Sequence, residues 1–197
     1  MTYDLILALL GFAFVTSVTP GPNNMMLLAS GVNFGFTRTV PHMLGISLGH
    51  SLMVFLVGMG LAGVMQAWPP ALILLKVLSV GYMLWLAWHI ANAAAPGRGN
   101  AAAKPLNFFQ AAAFQWVNPK AWAMALGAIS AYAGEGGITS VAIVALVFAA
   151  VNLPSVAVWA AAGEALRGWL AHPARLKAFN WTMAGLLVVS LIPVLRL

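Results

Sequence analysis

The chain has 197 residues, of which 62% are hydrophobic and only 6% are charged, and its formal net charge is +6. Soluble domains carry about 25% charged residues, so this composition excludes an ordinary soluble protein and predicts an integral membrane protein. The basic residues are scattered singly and form no clustered stripe, so we expect membrane lipids rather than nucleic acid as partners. The absence of cysteine excludes disulfides and thiolate metal sites.

Six apolar stretches follow one another along the chain, each near the roughly 20 residues that cross a bilayer as a helix. They cover residues 5–32, 42–65, 71–91, 106–132, 138–162 and 178–195. Turn signals separate them at residues 68–70, 95–97 and 134–137. We therefore expect an all-α protein with a single transmembrane domain over residues 1–197. No basic segment precedes the first stretch, so we expect no cleavable signal.

Three stretches lie on each side of the loop at residues 92–105. An odd number of spans per half places the two halves in the membrane with inverted topology, if they are structural repeats. The spacing predicts a first repeat over about residues 1–95 and a second over about 105–197.

Basic residues concentrate in the three odd-numbered loops between the stretches. By the positive-inside rule these loops face the cytoplasm, and both termini lie outside. The loop residues are Arg38, Arg98, Lys104, Arg167, Arg175 and Lys177, against Lys76 and Arg196 on the other side.

The first and fourth stretches are each interrupted by proline. The first contains Thr19-Pro20-Gly21-Pro22-Asn23-Asn24, and the fourth contains Asn118-Pro119-Lys120. Proline cannot continue an ideal helix, so the second half of each span must begin again. We expect Asn118 to cap the new helix with Pro119 in its first turn, and Gly21 to act as a weaker cap before Pro22.

Each restarted helix presents unpaired N–H groups and about half a positive charge, which attract carboxylates. Spans one and four cross in opposite directions in this topology, so the two positive ends would meet near the midplane. Lys120 would add a full charge, and we expect it to contact substrate or backbone carbonyls. The alternatives are snorkelling or pairing with one of the three acidic residues. The alternative for the prolines is a purely structural role, in which each one only kinks its helix.

The second and fifth stretches add polar candidates. Gly45 and Gly49 form a small-xxx-small pattern that indicates close helix packing. His50 follows them, either as a proton-coupling group or as a hydrogen-bonded packing residue. Asn152 precedes Pro154 in the fifth stretch, where a freed carbonyl would face the same cavity or a neighbouring helix would satisfy the kink. The predicted substrate-binding residues are Thr19, Pro20, Gly21, Pro22, Asn23, Asn24, Asn118, Pro119, Lys120 and Asn152.

These motifs together resemble the lysine-exporter superfamily of the LysE/RhtB type. The resemblance rests on the Thr19 to Asn23 run, the Gly45 to His50 segment, the Lys76 to Tyr82 spacing and Asn118-Pro119-Lys120. It covers nearly the whole chain and implies a bacterial inner-membrane exporter of amino acids, driven by proton antiport. It also implies six spans in two inverted repeats, and usually a homodimer.

Two further stretches, Ala103-Lys104-Pro105 and Phe114 to Asn118, are similar to exporters of neutral amino acids such as cysteine and O-acetylserine. Ser79 and Ala87 depart from the family pattern, which often has glycine there, and this bears on the packing of the third span.

The residues and the resemblance together predict a secondary-active exporter of amino acids or close derivatives. An exporter of another small solute or cation, and a passive channel, remain the alternatives. The four histidines and three acids form no recognisable catalytic or metal set. We therefore expect no enzyme activity, no metal and no cofactor.

Overall fold

The computed structural model describes residues 1–93, 104–134 and 136–192, and within these ranges the chain is helical and contains no β-strand. The predicted all-α class is confirmed. The turn expected at residues 95–97 and the residues Arg98, Ala103, Glu135 and Arg196 lie outside these ranges. The helices are α1 Tyr3–Val18, α2 Pro22–Phe34, α3 Phe36–Leu56, α4 Ala62–Ala67, α5 Pro69–Ala91, α6 Phe108–Val117, α7 Pro119–Ala128, α8 Gly137–Leu166 and α9 Pro173–Val189.

Three described helical stretches are long and apolar enough to cross a membrane, namely Phe36–Leu61, Ile73–Ala91 and Gly137–Leu166. The first includes a π-helical turn, Val57–Leu61, at the end of α3. Helices α1 and α2 meet at 55° and form a fourth crossing if the bent pair is one span. The predicted fourth span is divided between α6 and α7, and the predicted sixth is the 17-residue α9. The six-span inverted arrangement therefore stays a prediction.

Both predicted breaks are present. Residues 19–21 separate α1 from α2, and Gly21 is the N-cap of α2 with Pro22 in the first turn. Asn118 ends α6 and caps α7, where its side-chain oxygen accepts the Lys120 backbone N–H at 3.1 Å. The local chemistry of proline and asparagine was sufficient to predict these ends.

Helices α2 and α8 pack backbone to backbone beyond the first break. A Cβ atom at Gly31 would overlap the carbonyl oxygen of Ala160, and one at Gly163 would overlap the carbonyl oxygen of Leu28. Each glycine thus sits against the main chain of the other helix. This reciprocal contact holds α8 against α2, so that α8 can contribute side chains to the first break.

Helices α3 and α6 approach equally closely, as the small-xxx-small pattern predicted. A Cβ at Gly49 would lie 2.6 Å from the Cα of Ala112, and one at Gly45 would overlap the Phe108 carbonyl. The contact holds His50, the residue after Gly49, beside the second break.

The departures from the family pattern on α5 do not prevent helix packing. Ser79 and Ala87 are both buried. The Ser79 hydroxyl donates to the Leu75 carbonyl of its own helix at 2.7 Å, so it needs no partner from a neighbour. Both side chains are small enough to serve where glycine is common.

Candidate functional site

Lys120 spans the two breaks. Its Nζ donates to the Thr19 carbonyl at 2.8 Å, to the Thr19 hydroxyl at 2.9 Å and to the Pro20 carbonyl at 3.4 Å. The ammonium therefore lies at the C-terminal end of α1, where the helix dipole is negative and carbonyl groups lack helical partners. Of the alternatives for this lysine, the structure shows the contact with backbone carbonyls.

Two other side chains satisfy the remaining carbonyls at the end of α1. Asn24 is 2% exposed, and its Nδ2 donates to the Ser17 carbonyl at 2.9 Å and to the Thr19 carbonyl at 2.8 Å. Trp159 of α8 donates from Nε1 to the Val18 carbonyl at 3.0 Å. The broken end of α1 is thus neutralised by donors from three other helices, which explains how irregular backbone is accommodated within an apolar bundle.

The start of α2 is less completely satisfied. Gly21 makes no side-chain cap, so the first N–H groups of α2 have no side-chain acceptor. A Cβ at Gly21 would lie 2.7 Å from Cδ of Lys120, so a larger residue at this position would require the lysine stem to shift. The same residue therefore exposes a positive helix end and admits a cation beside it.

A cavity lies where the two breaks meet. The volume open to the centre of a water-sized sphere is about 20 Å³, which is room for about one water. This space is too small for an amino acid. The cavity is lined by Thr16, Ser17, Gly21, Asn23, Asn24, His50, Asn118, Lys120, Ala121, Met124, Asn152 and Val156.

The lining includes most of the residues singled out in the sequence. Of the predicted binding residues, Gly21, Asn23, Asn24, Asn118, Lys120 and Asn152 line the cavity, as does His50. Thr19 and Pro20 instead bind Lys120, while Pro22 and Pro119 begin the helices on either side. The structure places these residues together, and their role in binding stays a prediction.

His50 and Asn152 bring unpaired polar atoms to this cavity. His50 is 2% exposed, and neither ring nitrogen has a partner in the described part of the chain. Asn152 donates to the Ser17 hydroxyl at 3.1 Å, but its Oδ1 accepts no hydrogen bond from any residue that the structure describes. Buried polar atoms are normally paired, so these atoms indicate a position where water or a ligand supplies the partner. His50 packs edge to face against Phe148, and whether it couples protons or serves as a packing residue stays a prediction.

Helix α8 contributes Asn152 and Val156 to the cavity lining. Pro154 removes the helical donor of the Ala150 carbonyl, and Ala150 is not among the lining residues. Nearby carbonyls of α8 are occupied, because Val151 accepts the Ser155 hydroxyl at 2.8 Å and Ala149 accepts the Ser47 hydroxyl at 3.1 Å. Neighbouring hydroxyls thus satisfy part of the irregular helix.

Sequence reasoning did not assign a role to Gln115. Its side-chain amide is 0% exposed and pairs reciprocally with that of Asn23, with N to O distances of 2.8 and 3.1 Å. The available signal was an uncharged polar residue near the end of an apolar half-helix, three residues before Asn118. Its partner, 92 residues earlier in the chain, follows only from the packing of α2 against α6.

Several apolar helices able to cross a membrane, together with a polar cavity at two helix breaks, are features of a multi-pass membrane transporter. The sequence comparison is specific: residues 14–193 match the LysE type translocator model, and the chain belongs to that family. This confirms the resemblance and the assignment as a transporter rather than an enzyme.

Several relatives carry the name cysteine/O-acetylserine efflux protein. The one from Klebsiella pneumoniae is 30% identical over 191 residues, which is 95% of each chain. Those from Salmonella typhimurium strain LT2 and Escherichia coli strain K12 are 36% and 35% identical over 133 residues, or 67% of each chain. No solved structure matches the chain.

Proposed function

We propose that this protein exports small neutral amino acids or close derivatives, of the cysteine and O-acetylserine class, across the bacterial inner membrane. The names of its relatives support the substrate class. The structural observation that carries the proposal is the meeting of two helix starts, one lysine and unpaired polar atoms at a single cavity. Such a set matches the charged part that all amino acids share.

The substrate carboxylate binds at the start of α2, where Gly21 leaves N–H groups without a side-chain cap. Lys120 turns from the Thr19 and Pro20 carbonyls towards this carboxylate when substrate arrives. The vacated Thr19 and Pro20 carbonyls, together with Oδ1 of Asn152, then accept hydrogen bonds from the substrate ammonium. In the closed state the lysine ammonium occupies the cation position that the substrate takes later.

Export requires this closed site to open to each side in turn. In the proposed single domain, six spans form two inverted repeats, and rocking one against the other gives alternating access. Both termini lie outside and the odd-numbered loops lie in the cytoplasm. The protein acts as a homodimer in the lipid bilayer.

His50 is the proposed proton-coupling group. It lies in the same cavity as Lys120, with both ring nitrogens free to exchange a proton with water or substrate. Protons moving inward through this site then drive amino-acid export by antiport.

The test is efflux of labelled O-acetyl-L-serine and L-cysteine from proteoliposomes, with and without an imposed pH gradient. Saturable efflux that rises with the gradient is expected. Flux that does not saturate would favour a channel, and folded protein that moves neither compound would refute the proposed substrate class. Saturable efflux that ignores the gradient would refute the proton coupling alone.

A further inference from the structure

A second, larger pocket lies away from the breaks. It is bounded by the second half of α2, the start of α3, the end of α5 and residues 104–110, and we refer to it as the α2–α5 pocket. Its volume is about 580 Å³, measured in the same way as the 20 Å³ of the central cavity. Small-molecule sites commonly enclose about 300–1,000 Å³, so this pocket has room for an amino acid.

Two residues of the pocket lining carry buried polar atoms without a partner among the described residues. His42 is 2% exposed, and both of its ring nitrogens lack a partner among the described residues. Asn33 is half-buried and donates from Nδ2 to the Ala29 carbonyl at 2.8 Å, but its Oδ1 atom is buried and has no donor among the described residues. A buried histidine and a half-buried asparagine with unpaired polar atoms in one roomy pocket favour a polar ligand over a packing defect.

The charges and walls suit a zwitterion. Lys104 supplies a cation for a carboxylate, and Asn33 Oδ1 accepts from an ammonium. His42 can donate from one ring nitrogen and accept at the other, which suits a hydroxyl, ester or thiol on a short side chain. Trp85 and Leu86 add apolar surface to the lining.

The α2–α5 pocket and the central cavity share two helices. On α2 the central cavity ends at Asn24, and the pocket begins at Met26. On α6 the pocket includes Gln110, about 7.5 Å along the helix from Gln115. Gln115 pairs with Asn23 of the cavity, so this amide pair links α6, which also lines the pocket, to the central cavity.

We propose that the α2–α5 pocket is a second binding site, on the predicted cytoplasmic side, for the same class of small zwitterionic amino acid. The proposal rests on the proposed function. Substrate binds first to Lys104, Asn33 and His42, and it passes to the central cavity when the Asn23–Gln115 pair opens.

The chain contains no cysteine, so single cysteines report on each site without background. Gln110→Cys places a thiol in the pocket, while Asn107 Oδ1 still caps the start of α6 by accepting the backbone N–H of residue 110. The rate of maleimide labelling is measured in nanodiscs with increasing O-acetyl-L-serine. Ala174→Cys, on an exposed residue near the start of α9 that is not part of the pocket lining, is the control.

O-acetyl-L-serine should slow labelling at position 110 and leave position 174 unchanged. The protection should persist in a Lys120→Met background, in which the central site has lost its cation. Adding Asn33→Ala should raise the concentration for half-protection by about tenfold, as expected for losing one hydrogen bond to a charged group.

Loss of protection in the Lys120→Met background would show one site instead of two and would overturn the proposal, even if the wild type exports the compound. A labelling rate that does not change with O-acetyl-L-serine but increases on delipidation would assign the pocket to a lipid chain and would also overturn the proposal. Wild-type efflux is measured in parallel. Protection without efflux would refute the export function and leave the second site standing.

Discussion

Replacing Lys120 by methionine tests the central site most directly, because the change keeps the length of the stem and removes the ammonium group with its charge and its hydrogen-bond donors. The Pro20 carbonyl loses its recorded donor, whereas the Thr19 carbonyl keeps Asn24 at 2.8 Å. An unsatisfied carbonyl costs about 1–3 kcal/mol. A lysine within a membrane helix carries an opposing insertion cost of about 2.5–3.5 kcal/mol. The two effects are similar in size, so Lys120→Met should change the stability of the protein little.

Transport should respond much more strongly. A charge-assisted hydrogen bond to a carboxylate contributes about 1.5–3 kcal/mol, and each 1.4 kcal/mol is a factor of ten in affinity. We therefore expect the KM for O-acetyl-L-serine efflux to rise by about 10- to 150-fold. The assay is initial-rate efflux from proteoliposomes at matched protein density, with thermal unfolding of the same preparations.

Lys76→Met is the matched control, since Lys76 also lies on a candidate membrane helix but does not line the central cavity. It should leave KM unchanged. Lys120→Met with wild-type KM and maximal rate, in folded protein, would refute the assignment of Lys120 to substrate binding. A large loss of stability would instead show that the lysine acts mainly as a cap for α1.

Three other changes test separate parts of the structure. Gly163→Val should prevent stable folding, because the new side chain overlaps the α2 backbone. Gly185→Val on α9 is the control and should be tolerated, because a Cβ there meets no atom within 4 Å. Thermal unfolding of the two variants is compared. Asn23→Leu and Gln115→Leu should each destabilise the protein by about 1–3 kcal/mol, but the double variant should cost less than the sum, because neither amide is then left unpaired. His50→Gln should remove the dependence of efflux on the pH gradient while leaving substrate binding in place.

Each of these has a contradicting result. Equal stability of the two glycine variants would mean that α2 and α8 do not pack by main-chain contact. Strict additivity in the amide double-mutant cycle would mean that the Asn23–Gln115 pair contributes no coupling. An unchanged pH profile for His50→Gln would place proton coupling at another group.

The sequence alone determined the class of protein and its local breaks. A chain with 62% hydrophobic and 6% charged residues does not have the composition of a domain that folds in water. The helix ends at Gly21 and Asn118 followed from proline and from side-chain capping, which act over a few residues and do not depend on distant parts of the chain. The local pattern of Gly45 and Gly49 likewise predicted close helix packing, but it did not predict which helix would be the partner.

The partners across the bundle were decided by the tertiary structure. Lys120 binds Thr19, 101 residues earlier, and Gln115 pairs with Asn23, 92 residues earlier. Such pairs depend on how each helix is rotated and how far it slides along its neighbour. Those quantities are set by contacts such as that of Gly163 with the Leu28 carbonyl. The sequence therefore predicted which polar residues matter near the breaks, and packing decided that they close around a space for about one water.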